Sequence, residues 1–289
     1  MSQLLNIAKL LQSNKDSFET RNLSRNKSIM PSNEDEFIIR FHAIFSLVAA
    51  FVLRECLQQT HFGAPSIDDD DDNNNANGTC ENIGNTVSLL VFTWHLVIFL
   101  RGLLQYPRLM SYYRFLLPLS LLFVFPDWFL VTFAKTLRFP ANGSFFMIGD
   151  AVSPCMAGMW SIPGFLILYM CYPSDEFMKG SANRLSAFCY AKAAVIGFSI
   201  FVMAEQLLPF IWTATEHVGH RIGWGEGIAT YVVPAETILG PIILYFYHVT
   251  KNLNWYQPII GAGISMLIYT GALSIGLLIF EGSPRSMLS

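Results

Sequence analysis

Charge is scarce in this chain. Asp, Glu, Lys and Arg make up 13% of its 289 residues, against about 25% in an ordinary soluble domain. A surface so poor in charge does not stay wet, which argues against a conventional soluble globular protein. Basic clusters are missing as well. The net charge is −3 and no Lys/Arg patch or stripe offers a footprint for nucleic acid, so no nucleic-acid partner is expected. Among Cys56, Cys80, Cys155, Cys171 and Cys189 there is no Cys-x-x-Cys pair, which removes zinc-ribbon and thioredoxin-type chemistry. The N-terminal residues hold no apolar secretory core, so the first apolar segment is expected to stay in the protein.

What is present is apolar: 53% hydrophobic residues, 24 of them Phe. Long apolar runs alternate with short polar gaps, and a bilayer core takes about 20 apolar residues of helix. The pattern predicts an all-α polytopic transmembrane bundle with spans near 37–54, 84–105, 114–135, 147–172, 186–208, 226–248 and 257–280. The fourth is interrupted by Asp150, Pro154 and Pro163. Residues 1–36 read as a cytosolic polar tail, 37–280 as the membrane domain and 281–289 as a short tail. The stretch 56–83 reads as a disordered acidic loop built on Asp68 to Asp72 and Asn73-Asn74-Asn75.

Lys and Arg set the expected orientation. The tail carries Lys9, Lys15, Arg21, Arg25 and Lys27; later even-numbered loops carry Arg101, Arg108 and Arg114, then Lys179 and Arg184, then Lys251. The first loop has neither Lys nor Arg. The N-terminus is therefore expected in the cytosol and the C-terminus on the lumenal or extracellular side. Arg221, in an outer loop, reads as functional or paired. Sequons at Asn77 and Asn142 fall on the predicted outer side and are candidate glycosylation sites; Asn22 and Asn26 match the motif on the cytosolic side. Cys56 and Cys80 bracket the first loop, where a disulfide requires an oxidising lumen. An endomembrane of ER type, rather than a plastid, is the expected location.

A charge inside a bilayer costs about 2.5–3.5 kcal/mol on insertion scales, so those kept there point to function. Asp127 falls about two turns inside the third span. Glu205 lies near the end of the fifth, and Glu236 about ten residues into the sixth, roughly 15 Å deep at 1.5 Å per residue. Glu216, His217, His220 and Glu226 occupy the loop between the last two. Asp150 reads as a helix cap and His95, in mid-span, as an interhelical hydrogen-bond partner. All the acids map to the outer half, which suggests one polar cavity closed from the cytosol. Glu216-His217-Val218-Gly219-His220 has two residues between its histidines where a zincin has three; no metal site is expected. Pro234 reads as a helix break beside the cavity. The last predicted span has no charge and two small-xxx-small pairs, Gly261/Ser265 and Ala272/Gly276, suited to close helix packing.

Asp127, Glu205, Glu236 and Tyr231 are the candidate catalytic residues, and Trp128, Trp160, Trp212, Trp224 and Pro234 the candidate pocket. A desolvated carboxylic acid is a competent proton donor, and aromatic faces stabilise cations. That combination suits cofactor-free protonation, cyclisation or hydration of a hydrophobic isoprenoid or lipid. Pro163, then Glu205 with Pro209 and Trp212, then Tyr231-Val232-Val233-Pro234 and Gly240, resembles the order of motifs in the carotenoid hydratases of the membrane carotenoid-synthesis family. The resemblance covers about residues 160–245 and implies a multi-helix isoprenoid-modifying enzyme without a cofactor. The chain is also broadly similar to small seven-span terpene cyclases, which use acidic residues. A proton-coupled small-molecule transporter would also keep intramembrane acids at a proline break, though no internal repeat appears. A receptor or scaffold is the remaining class. Against a receptor stand the missing Asp-Arg-Tyr after the third span and the missing Asn-Pro-x-x-Tyr in the seventh; the seventh also lacks a lysine for retinal.

Overall fold

A computed structural model describes residues 33–62, 83–139, 147–173, 185–207, 212–223 and 228–282, apart from the side chains of 55–62, Ile83, Glu205 and Leu207. Asn77, Cys80, Asn142, Trp224 and Glu226 lie outside the described residues, as does the side chain of Cys56. The chain divides into two compact units, Met1–Ala50 and Phe51–Ser289.

The described part of the first unit is helix. α1 (Asn33–Phe62) opens on Glu34, Asp35 and Glu36, three carboxylates that favour the positive end of the helix dipole. Phe37, Phe41 and Phe45 stack along it at centroid spacings of 5.7 and 5.9 Å. Helix continues through Cys56 to Phe62, which shortens the acidic loop expected from residue 56. Leu57, Gln58 and Gln59 are good helix formers and carry the turn onward.

The second unit is mostly an up-and-down helix bundle. Its helices are α2 (Ile83–Leu104), α3 (Pro107–Leu122), α4 (Val124–Phe129), α5 (Met156–Met159), α6 (Ser161–Cys171), α7 (Ala187–Leu207), α8 (Val232–Thr250) and α9 (Gln257–Phe280). Among the described residues six helices are long and apolar enough to cross a membrane, with α3, α4 and the π-turn after them joined in one segment, Pro107–Ala134. Seven were expected. The fourth expected span is the shorter Met156–Cys171, because residues 147–155 form a turn instead of helix. There Ile148 pairs with Val152, and Gly149 and Asp150 sit at φ 58° and 56°. Asp150 is thus an exposed left-handed turn residue, a conformation Asp tolerates, and not a helix cap.

Glycines set how closely the helices approach. A methyl on Gly240 of α8 would collide with the carbonyl oxygen of Ala193 in α7, and one on Gly197 would lie 3.3 Å from the Gly240 Cα. In α9 a methyl on Gly276 would stand 2.6 Å from the Tyr231 carbonyl oxygen, and one on Gly261 would lie 3.0 Å from Thr250 Cγ2. These last two contacts fit the expected close packing of the final helix. His95 also plays its expected part. Its Nε2–H donates to the Gly158 carbonyl at 3.0 Å, which leaves Nδ1 to accept from the Tyr113 hydroxyl at 3.3 Å. A methyl on Gly158 would sit 2.5 Å from Val91 Cγ1 and 2.9 Å from His95 Nε2. Gly158→Ala is therefore expected to displace the imidazole and cost about 1–3 kcal/mol, read as a lowered thermal midpoint of the purified protein in detergent.

Candidate functional site

The site is built where α3 breaks. Pro126 has no N–H for the Leu122 carbonyl, and its ring crowds that oxygen. The helix stops at Leu122, turns at Phe123 and restarts as α4. A π-helical turn, Leu130–Ala134, follows and ends at Lys135 in the left-handed region. Such wide turns recur at functional sites. Asp127, next to the break, is only 5% exposed.

Trp160 meets it. Its indole N–H donates to Asp127 Oδ2 over 3.4 Å, a long hydrogen bond. The ring lies 4.9 Å from Phe123, 5.3 Å from Phe201 and 5.7 Å from Tyr269. Tyr269 in turn stacks on Phe123 at 5.0 Å. Trp160 is held by its neighbour Ser161, fully buried, whose N–H donates to Ser120 Oγ at 3.2 Å and whose hydroxyl donates to the Leu116 carbonyl at 3.1 Å.

Glu236 is 2% exposed. Helix register gives its level. Along α9, Phe115 of α3 lies at Gly261 and Phe123 at Tyr269, so α3 runs parallel and Asp127 comes level with Leu273. Thr250 of α8 lies at Gly261 and Tyr231 at Gly276, so α8 runs antiparallel and Glu236 comes level with Ala272. Both acids thus stand at one height along α9, at the same end of the bundle.

Their burial has a different source from the one expected. α8 begins at Val232, not near 226, so Glu236 is its fifth residue, about 6 Å from its start at 1.5 Å per residue. Pro234 is exposed and lies in the first turn, where a missing N–H deprives no intrahelical carbonyl. It makes neither a break nor a pocket wall; the break is at Pro126.

What covers this end is a cap of irregular chain. β1 (Leu137–Arg138) pairs antiparallel with β2 (Thr213–Ala214), and β3 (Arg221–Ile222) with β4 (Ile228–Ala229). Thr215 ties the first ribbon down, donating from its hydroxyl to the Lys135 carbonyl at 2.6 Å and from its N–H to the Thr136 carbonyl at 3.0 Å. Arg221 is paired, as expected, with its guanidinium donating to the carbonyls of Thr215 at 2.5 Å and Val218 at 3.3 Å. Glu281, just past α9, accepts from the backbone N–H of Gly219 at 2.8 Å and of His220 at 3.1 Å. Its side chain is 4% exposed.

The remaining candidates divide. Tyr231 is buried, and its hydroxyl shares a 2.7 Å hydrogen bond with the Thr136 hydroxyl, which joins the cap to the start of α8. Trp212 packs under the cap with Val87, Phe139, Val152 and Met156, and Trp128 borders that cluster. Glu205 lies within α7, but its side chain is outside the described residues. Glu216, His217 and His220 are exposed, and among the described residues no group of three His, Cys, Asp or Glu is placed to hold a metal. Phe123, Phe201, Tyr269, Ser161 and Glu281 were missed from sequence. Tyr269 carried a usable signal, a single polar aromatic in an otherwise apolar helix.

Residues 124–280 match one family, described as a domain of unknown function, DUF6989. The chain belongs to this family. The DUF6989 region starts at the first residue of α4 and ends at the last of α9, so it holds Asp127, Trp160, Glu236 and Tyr269 together. No curated protein and no solved structure matches the chain.

Proposed function

We propose that the capped end of this multi-pass membrane protein is an acid–base site for a hydrophobic isoprenoid or lipid substrate. The observation that carries the reading is Asp127: a buried carboxyl, hydrogen-bonded by the Trp160 indole, against a wall of Phe123, Phe201 and Tyr269. Proton donation by a positioned carboxyl contributes about 10²–10⁴-fold to a rate. The aromatic faces suit a carbocation formed when an alkene accepts the proton. Glu236, at the same height, is the second acid and the candidate for the returning proton. The cap excludes water that would quench a cation early. Tyr231 then acts by holding the cap to α8. The resemblance to carotenoid hydratases and terpene cyclases fits this chemistry. Arg101, Arg108, Lys192 and Lys251 gather at the opposite end, which favours that end in the cytosol.

The test is untargeted lipid and terpenoid profiling of membranes from a host expressing the wild type, Asp127→Asn or Glu236→Gln. Each isosteric variant is expected to accumulate to the wild-type level in the membrane and to lose the wild-type product by about 10²-fold or more. Wild-type product in both variants would remove the acid–base reading.

A further inference from the structure

Trp160 reaches Asp127 from a point where its own helix is broken. Pro163 has no N–H for the Met159 carbonyl, and the Ser161 N–H turns away to Ser120 Oγ at 3.2 Å. α5 therefore ends at Met159 and α6 begins at Ser161, with Trp160 between them. At such a break the ladder of backbone bonds that normally fixes a side chain's direction is interrupted. Bonds from neighbouring helices take over.

They come from both sides. α3 supplies one pair, through Ser120 Oγ and through the Leu116 carbonyl, which accepts from the Ser161 hydroxyl at 3.1 Å. α2 supplies the other, through His95. The Gly158 carbonyl can only accept, so the Nε2 that lies 3.0 Å from it carries the proton. The Tyr113 hydroxyl, 3.3 Å from Nδ1, favours that tautomer. Trp94 and Tyr113 brace the ring edge-on, at centroid distances of 5.1 and 5.7 Å. Glycine at position 158 is matched to this contact. A Cβ there would stand 2.9 Å from Nε2 and 2.5 Å from Val91 Cγ1, so a larger residue would push the imidazole off the carbonyl.

What these bonds hold is a sensitive geometry. Gly158 is two residues before Trp160, whose indole N–H meets Asp127 Oδ2 over 3.4 Å. That distance is at the outer end of the hydrogen-bonding range, so a shift of a few tenths of an ångström at the break strengthens or loses the bond. The rings of Phe123, Phe201 and Tyr269 confine the indole; the directional bonds at the break aim its N–H.

We propose that His95 is a positioning residue, which sets the Trp160 indole on Asp127 by holding the Gly158 carbonyl. Its importance for catalysis rests on the acid–base reading of Asp127; the aiming itself does not.

Full-length protein with isotopically labelled tryptophan, purified in detergent, should give one indole N–H signal in nuclear magnetic resonance for each of its six tryptophans, and Trp160→Phe identifies that of Trp160. His95→Leu should move this signal upfield, the direction expected when an indole N–H loses its acceptor. His95→Gln, whose amide reaches about as far as Nε2, should restore it. His95→Asn reaches Tyr113 but stops short of Gly158 and should behave like His95→Leu; if His95→Leu does not fold, His95→Asn decides. Ile98→Ala removes a fully buried side chain one turn along α2 and should leave the Trp160 signal in place, which separates aiming from general loosening. In membranes, the product should fall by as much as about 10²-fold in His95→Leu and recover in His95→Gln. An unmoved Trp160 signal in His95→Leu and His95→Asn, or a displacement as large in His95→Gln or Ile98→Ala, would overturn the proposal. A displaced signal with wild-type product would support the aiming and count against the acid–base reading instead.

Discussion

Gly240→Val is expected to abolish the folded protein. At this position α7 and α8 touch backbone to backbone, with Gly240 against the Ala193 carbonyl and Gly197 against Gly240. Even a methyl meets a carbonyl oxygen that is itself fixed in the α7 hydrogen-bond ladder, so no side chain can swing aside. Overpacking against side chains typically costs about 1–3 kcal/mol; here two helices must separate, and the loss should exceed that range. Folded proteins have only about 5–15 kcal/mol of stability to lose. The expected readout is near-complete loss of the monodisperse peak on gel filtration in detergent, with Gly240→Ala intermediate. Gly271→Ala is the control, because a methyl there meets nothing within 4 Å. It should purify like the wild type, and equal behaviour of Gly240→Val and Gly271→Val would refute the packing account.

Glu281→Ala carries the second large effect, local instead of global. Its carboxylate accepts two backbone N–H groups, from Gly219 and His220, while nearly excluded from water. Hydrogen bonds to a charged group contribute about 1.5–3 kcal/mol each. Removing both should raise the opening equilibrium of the cap about 10²-fold or more while the helices stay packed, since segments open with their own free energies. Hydrogen–deuterium exchange over residues 212–223 measures this directly: fast exchange there, with α8 and α9 unchanged. Glu281→Gln keeps one acceptor oxygen and should fall between. His220→Ala should do less than Glu281→Ala, because it removes only the imidazole, whose Nδ1 lies 3.7 Å from Oε1, and keeps the backbone N–H that donates to it. Protection unchanged in Glu281→Ala would mean the cap is held by its ribbons alone.

Much of this architecture was legible because burial in lipid is written in composition. The segment Gln257–Phe280 was placed to the residue, since nothing polar blurs its edges. Asp127 and Glu236 stood out because a carboxylate in an apolar run has no ordinary explanation, and both are buried. The prolines misled. Pro234 and Pro126 look alike in sequence, yet a proline breaks a helix only where a carbonyl four residues earlier waits for its N–H. Pro126 follows sixteen residues of helix, whereas Pro234 has almost none before it. Glu281 was passed over because it sits just past an apolar run, where an acid looks merely solvated; its partners are backbone groups more than sixty residues earlier, which no local pattern encodes. The ring wall around Trp160 is likewise assembled from the turn after α3, from α7 and from α9, and pairwise contacts across elements leave no periodic trace.

The position of Glu281 in the chain also orders events during synthesis. It leaves the ribosome after every segment it binds, and after α9, the helix that packs on both α3 and α8. Until translation passes Phe280, the segment 212–223 therefore lacks the carboxylate that accepts its backbone N–H groups, and the last helix to emerge brings both that acceptor and the packing surface for α3 and α8.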